Sequence, residues 1–401
     1  MKTTIKLLAM AIAVTALISG CGEGSKEKSE EAEPAGSVTI MCPSYSASAL
    51  TDYWKEEKPE LDLEVKTYPE EQYYTILKTQ LATGSAADIL DIQLGYAGPN
   101  GVEELGQAGY LEPLYDVPEG YPEDNPEHLL ISDGKVYGKS SVRMMLGLGY
   151  NKKLFEQFQL EVPACWEDFT ACCERFQAEG IRPLATGGKD ATVFQYGVYQ
   201  IAANRLYPKS PEYDQELREG KARFTDPGTW NEILALYLSL FRDGYMGDDY
   251  LRLKNTEAQE MFASGGAAMI ITTSLSYSSM LLPEAEEDFG FIPLPANRRD
   301  DPVCVSESLI GGFGVYSGSP HKEVLTEKMR EFYDNLTFQD LGRHAFAEEK
   351  YWDCPVYAFC NQGWKNEVEV VMENKIREYL AGGMKGDITE ITEAMQAELV
   401  K

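Results

Sequence analysis

Side chains able to hold a polar solute stand at the carboxyl ends of three short apolar runs in the first hundred residues. Ser44 and Tyr45 follow Val38–Cys42, Glu70 and Gln72 follow the alternating Leu61, Leu63 and Val65, and Asp91, Gln93 and Tyr96 end or follow Ile89–Ile92. Acid and amide groups hydrogen-bond two neighbouring hydroxyls at once, and a flat ring covers an apolar C–H face, so this set suits non-covalent capture. Each residue also has a structural use: Ser44 as a helix cap, Glu70 at a helix N-terminus, Tyr96 packed in a loop. Signatures of catalysis are missing. His128, His321 and His344 lie far apart, no HExxH, GxSxG or GxxxxGK[ST] occurs, and 65 acids make any carboxylate pair uninformative as the mark of a secreted hydrolase. The sequence carries no cofactor or metal motif.

The elements that would position these residues alternate. A helix is expected over Ser46–Glu57, another over Glu71–Ala82 through Tyr73, Leu77 and Leu81, and strands on either side of them, giving βαβαβ. Such alternation predicts a parallel sheet with helices on both faces and a ligand at the carboxyl ends of the strands. Beyond it, Met144–Tyr150, Ala267–Ile271 and Phe289–Ile292 read as strands, and Pro163–Gly180, Thr229–Phe241 and Glu323–Leu336 as helices; Asn366–Lys401 reads as helical and solvated. Gly244 stops the Thr229 helix. Length predicts two to three domains.

Charge and chain ends narrow the setting. With 36 Lys and Arg against 65 Asp and Glu, the net charge of −29 excludes nucleic acid as a partner, because phosphate binding needs a basic stripe. Lys2 and Lys6 followed by the apolar run Leu7–Ile18 form an export signal, too short to span a bilayer. Residues 22–36 hold no aromatic or large aliphatic side chain and read as a flexible tether. Seven cysteines follow Cys21, an odd number with no CxxC. Cys173 shares a helix face with Trp166, Phe169 and Phe176 and should be packing; Cys354 and Cys360 leave open either a bridge or two thiols.

Seven fragments resemble, in order, a known family. They are LATGSAADIL (81–90), DGKVYG (133–138), LGYNKKLFEQFQLEVPACWEDF (148–169), GIRPLATGGKD (180–190), MFASGGAAM (261–269), FGFIPLP (289–295) and ESLIGGFGV (307–315). On these the chain is similar to the sugar-binding type (family 1) of extracellular solute-binding lipoproteins of bacterial ABC importers. Ile18, Ser19, Gly20 and Cys21 resemble a lipobox, implying cleavage after residue 20 and a lipid on Cys21 that anchors the protein at the outer face of the cytoplasmic membrane.

The resemblance implies a two-lobed α/β fold of the type II periplasmic-binding-protein kind, closing on its ligand as a hinge. Residues 1–20 would be the signal peptide, 21–36 the lipidated linker, 37–146 plus 303–350 the first lobe, and 147–302 plus 351–401 the second. Crossings are expected near Met144–Tyr150, Asp301–Glu307 and Tyr351–Tyr357. The implied cleft adds Arg143, which meets either an acidic sugar or a nearby acid, the turn at Lys189 and Asp190, the group Thr273, Ser274 and Ser276, and the close-approach pair Gly311 and Gly312. One departure stands out. Relatives carry a sugar-stacking Trp soon after the strand ending here at Ile271, whereas this chain has Thr273, Ser274 and Leu275. Trp352 is the preferred substitute, alongside Tyr277, Phe313 and Tyr351. The implied partners are a carbohydrate, the importer's permease subunits and the membrane. A polyamine in the same fold, a hydrolase, and a lipoprotein that only contacts other proteins are the alternatives.

Overall fold

A computed structural model of the chain describes residues 37–43, 48–57, 62–68, 70–94, 100–122, 125, 128–140, 142–282, 287–336, 339–342, 345–360 and 364–401. The signal, Cys21, the tether, Ser44, Tyr45 and Tyr96 lie outside the described residues.

Strand β1 (Ser37–Pro43) is apolar at consecutive positions and buried on both faces, as a central parallel strand must be. Helix α1 (Ser48–Glu57), β2 (Asp62–Tyr68), α2 (Glu70–Thr83) and β3 (Ile89–Ile92) complete the expected βαβαβ unit. Tyr73, Leu77 and Leu81, spaced by four, bury one face of α2 against Met41, Leu90 and Ile92. Helix α3 (Val102–Gln107) and β4 (Leu111–Glu112) follow, then a small antiparallel sheet of β5 (Tyr115–Asp116), β6 (Leu129–Ser132) and β7 (Lys135–Lys139).

The long β8 (Val142–Asn151) opens the second lobe. Along the chain come α4 (Lys152–Gln157), α5 (Trp166–Ala178), β9 (Leu184–Ala185), α6 (Val193–Arg205), α7 (Tyr213–Arg218), α8 (Trp230–Arg242), α9 (Asn255–Ala263), β10 (Met269–Thr273), α10 (Ser274–Met280) and β11 (Phe289–Ile292). Then β12 (Val305–Ile310) leads directly into β13 (Gly312–Tyr316), followed by α11 (Lys322–Asn335), β14 (Gln339–Leu341), β15 (Val356–Ala358), α12 (Asn366–Ala381) and α13 (Thr389–Leu399). The first lobe holds a five-stranded sheet in the order β2-β1-β3-β13-β4, and the second a sheet in the order β15-β12-β8-β10-β9 with β11 and β14 also on β8.

Three passages join the lobes, and they lie side by side. The front of β8 pairs with β12 through Leu309 opposite Arg143, and with β14 through Asp340 opposite the same residue. The chain therefore passes from one lobe to the other after β7, between β12 and β13, and between α11 and β14. The first passage falls just ahead of the expected Met144–Tyr150, the second just after Asp301–Glu307. The third precedes Tyr351–Tyr357, which already belongs to the second lobe, where β15 pairs with β12 and Tyr351 joins the core.

One further expectation changes, and one open alternative closes. The C-terminal helices are not solvated: Val368, Met372, Ile376 and Leu380, a spacing-of-four stripe on α12, join Ile391 and Met395 in the second-lobe core. Cys354 and Cys360 are both buried, with no disulfide between them. The extended β15 separates them, its three residues alone spanning about 10 Å, longer than a disulfide tolerates. Cys173 is buried among Trp166, Phe169 and Phe176, as its helix position predicts.

Asp214 on α7 makes the second lobe sensitive to pH. It accepts hydrogen bonds from the Tyr207 hydroxyl at 2.9 Å and from the Trp364 indole N–H at 3.2 Å, while burial pushes its carboxyl up to about 6. A raised carboxylate pKa means the folded state binds the proton more tightly than the unfolded chain. Its contribution is fully present below the ordinary 3.8 and lost as pH rises through about 6. Asp214→Asn is therefore expected to raise stability at pH 7.5 by roughly 1–2 kcal/mol and to flatten the slope between pH 4 and 6, read by urea melts across that range.

Candidate functional site

The carboxyl ends of both sheets face the passages between the lobes. In the second lobe β10 runs antiparallel to β8 and ends with Thr273 opposite Leu146, so residues 142–145 of β8 project beyond it. Arg143 sits on that projection with β12 and β14 at its sides. Its Nε lies 3.9 Å from Oε2 of Glu307, and the two side chains are 30% and 32% exposed. Both side chains reach solvent in part, so other elements do not fully cover this face of the ribbon.

The start of α10 closes the same edge. Thr273 caps the helix, its hydroxyl accepting the Ser276 N–H at 3.0 Å, which satisfies one of the orphan donors of the first turn. Ser274 is fully buried: its hydroxyl accepts the Met145 N–H at 3.0 Å and donates to the Leu341 carbonyl, pinning β8 and β14 to the helix. That corrects the expectation of Ser274 as a ligand contact, because both of its bonding directions are engaged and no surface remains. Ser276 is half-buried at the rim. Lys189 and Asp190 are exposed beyond β9, whose parallel pairing with β10 puts them on the same edge. Asp190 accepts the Asn255 N–H at 2.7 Å, and the Lys189 carbonyl accepts from Arg377 at 3.1 Å.

In the first lobe the edge is built by β3. Asp91 is buried, accepting the Asn100 side-chain amide at 2.9 Å on a carboxylate oxygen and the Tyr73 hydroxyl at 3.1 Å on its carbonyl. Asn100 is itself fully buried, with its amide oxygen unpaired. No periodicity marks it, so nothing in one dimension points to it. Gln93 spends its backbone on Asn100 and Val102 and leaves its side chain half-exposed. Gln72 is exposed on α2, and Glu70 begins that helix.

Gly311 and Gly312 serve another purpose than the one expected. A Cβ at Gly311 would stand 1.9 Å from the Ile92 carbonyl oxygen, and one at Gly312 would stand 2.4 Å from that of Lys139. The close approach is of backbone to backbone where β12 becomes β13, and the contact leaves no room for a ligand. Tyr333 completes this junction. Its hydroxyl accepts the Phe313 N–H at 2.7 Å and donates to the Phe313 carbonyl at 2.8 Å, standing where a neighbouring strand would. Burial pushes the phenol well above its ordinary range.

The aromatic candidates divide by burial. Phe313 and Tyr351 are core residues. Trp352 is half-buried, donates its indole N–H to the Phe346 carbonyl at 3.3 Å and packs on the second-lobe core. Tyr277 is half-buried and stacks on Phe291 at 4.8 Å, with Phe291 stacked in turn on Phe346. Among the described residues no three His, Cys, Asp or Glu side chains gather to hold a metal.

Two α/β lobes joined by a three-stranded ribbon, with polar side chains on the sheet edges facing it, define a two-lobed binding protein with its cleft between the lobes. The profile of the bacterial extracellular solute-binding protein family matches residues 43–340, and the chain belongs to that family. It is 24% identical over 73% of its length to 70% of an uncharacterised ABC transporter extracellular-binding protein of Pyrococcus horikoshii. It is 22% identical to the multiple sugar-binding protein of Streptococcus mutans, over 90% of each chain. Among solved structures, a chitin oligosaccharide binding protein shares the fold with a TM-score of 0.73 at 19% identity, over 90% of this chain and 98% of that one.

Proposed function

We propose that the protein is the receptor of an ABC importer, capturing a sugar or oligosaccharide between its lobes and presenting it to membrane permease subunits. The observation that carries this reading is the partly exposed polar face at the ribbon, where Arg143 and Glu307 stand beside the rim of α10 and across from the carboxyl end of β3. Family membership and the sugar-binding name of the Streptococcus mutans relative support the ligand class. Binding contacts from both lobes favour the arrangement in which they approach, so the ligand shifts a hinge equilibrium and no covalent step is needed. Export through the N-terminal signal and a lipid on Cys21 would hold the receptor at the outer face of the membrane; mass spectrometry of membrane-extracted protein reads those acyl groups.

A thermal-shift screen of the mature chain against mono- and oligosaccharides, uronic acids, polyamines and amino acids tests the ligand class. A saccharide at 100 times its dissociation constant is expected to add about 2.7 kcal/mol of stability and raise Tm. A polyamine hit with every saccharide silent overturns the sugar assignment and leaves the fold in place.

A further inference from the structure

The two lobes touch through side chains at a place away from the ribbon. Lys78, on the outer part of α2 in the first lobe, donates from Nζ to Glu367 Oε1 at 2.9 Å, and Glu367 stands in the first turn of α12 in the second. The partners are 289 residues apart in sequence. Helix α2 packs on β1 and β2, which lie two and three strands from β13, the strand the ribbon feeds. At about 4.8 Å per strand the tie stands roughly 10–14 Å to one side of the junction.

Two bodies joined only by a ribbon can rotate about it; a second tie off that line fixes the angle. We propose that Lys78 and Glu367 form a latch that selects the inter-lobe angle seen in this structure, independently of any ligand. The surroundings favour the pair. The α12 N-terminus supplies the partial positive charge that a carboxylate prefers, so Glu367 is held in place from both sides. Burial alone would lift the Glu367 carboxyl, and the hydrogen bond from Lys78 together with its own backbone N–H holds it below the ordinary value. Both side chains are about half exposed, so the tie is weak enough to open and is screened by salt.

The test compares the unliganded mature protein with Lys78→Glu, Glu367→Lys and the double charge swap by small-angle scattering in 20 mM and 500 mM salt. Each single variant is expected to lower the ratio of compact to extended molecules two- to fivefold in low salt, and the swap to restore most of it. High salt should bring the wild type toward the single variants. Thermal melts of all four chains, expected within a few degrees of one another, separate a change of angle from loss of fold. Equal scattering from all four at low salt overturns the latch, and so do single variants that expand without recovery in the swap. No sugar enters this experiment, so its outcome is independent of the ligand assignment.

Discussion

Gly311→Ala is expected to cost the fold about 3–5 kcal/mol and to lower Tm by at least about 5 °C. A Cβ there would lie 1.9 Å from the Ile92 oxygen, 2.9 Å from the Ile92 carbonyl carbon and 3.1 Å from the Gln93 Cα. All three are backbone atoms of the β3 end, so no side chain can swing away to make room. Either β13 lifts from β3, losing the pairing of Gly312 with Ile92 and Phe313 with Asp91, or the passage from β12 bends. Gly84→Ala is the contrast: that residue has φ of +68° with nothing within 4 Å, so its cost is backbone strain alone, about 1 kcal/mol. If the two variants melt together, the crowding at Gly311 is not what holds the junction. The consequence reaches the site, because the same contact fixes Asp91 and Gln93 against the hinge.

The parts of the fold legible in the sequence are those whose burial is periodic. Tyr73, Leu77 and Leu81 on α2, and Trp230, Ile233, Leu234, Tyr237, Leu238 and Phe241 on α8, are buried as their spacing predicts. Where lobes exchange chain, no such signal exists. The run Val142–Asn151 is one continuous strand whose front pairs with β12 and β14 and whose back pairs with β10 and β11, so nothing in its composition marks the change of neighbours. At three residues β14 is too short to show a period. The site divides in the same way. Rules for strand ends put forward Asp91 and Gln93, and the family resemblance the Thr273–Ser276 stretch, but a serine that pins two strands and a serine that meets a ligand look alike in one dimension. Glu307 was visible only as part of a family fragment; its pairing with Arg143 depends on β12 lying beside β8.

Gln200→Leu is expected to destabilise the protein by about 3–5 kcal/mol, although the residue is not among the candidate ligand contacts. Gln200 is fully buried on α6. Its amide donates to the Cys304 carbonyl at 2.7 Å and to that of Leu294 at 3.3 Å, and its oxygen accepts the Ser306 N–H at 2.9 Å. Asn204, one turn on, donates to the Cys304 carbonyl at 2.9 Å and accepts the Cys304 N–H at 2.8 Å. Between them the two amides satisfy the backbone on the side of β12 that faces α6, while the Val305 N–H turns the other way to the Pro355 carbonyl. Leucine fills the same volume but leaves buried donors and acceptors without partners, which costs more than the hydrogen bonds themselves contribute. Asn204→Leu should act similarly, and the double variant should lose less than the sum because both single changes free the same strand. A Gln200→Leu protein within 1 kcal/mol of wild type in urea melts would show that β8 and β15 hold β12 without the α6 amides. Because β12 carries Glu307 and ends at Gly311, a loosened start of this strand displaces the ribbon face and the hinge together. Saccharide affinity is therefore expected to fall in the surviving folded fraction as well.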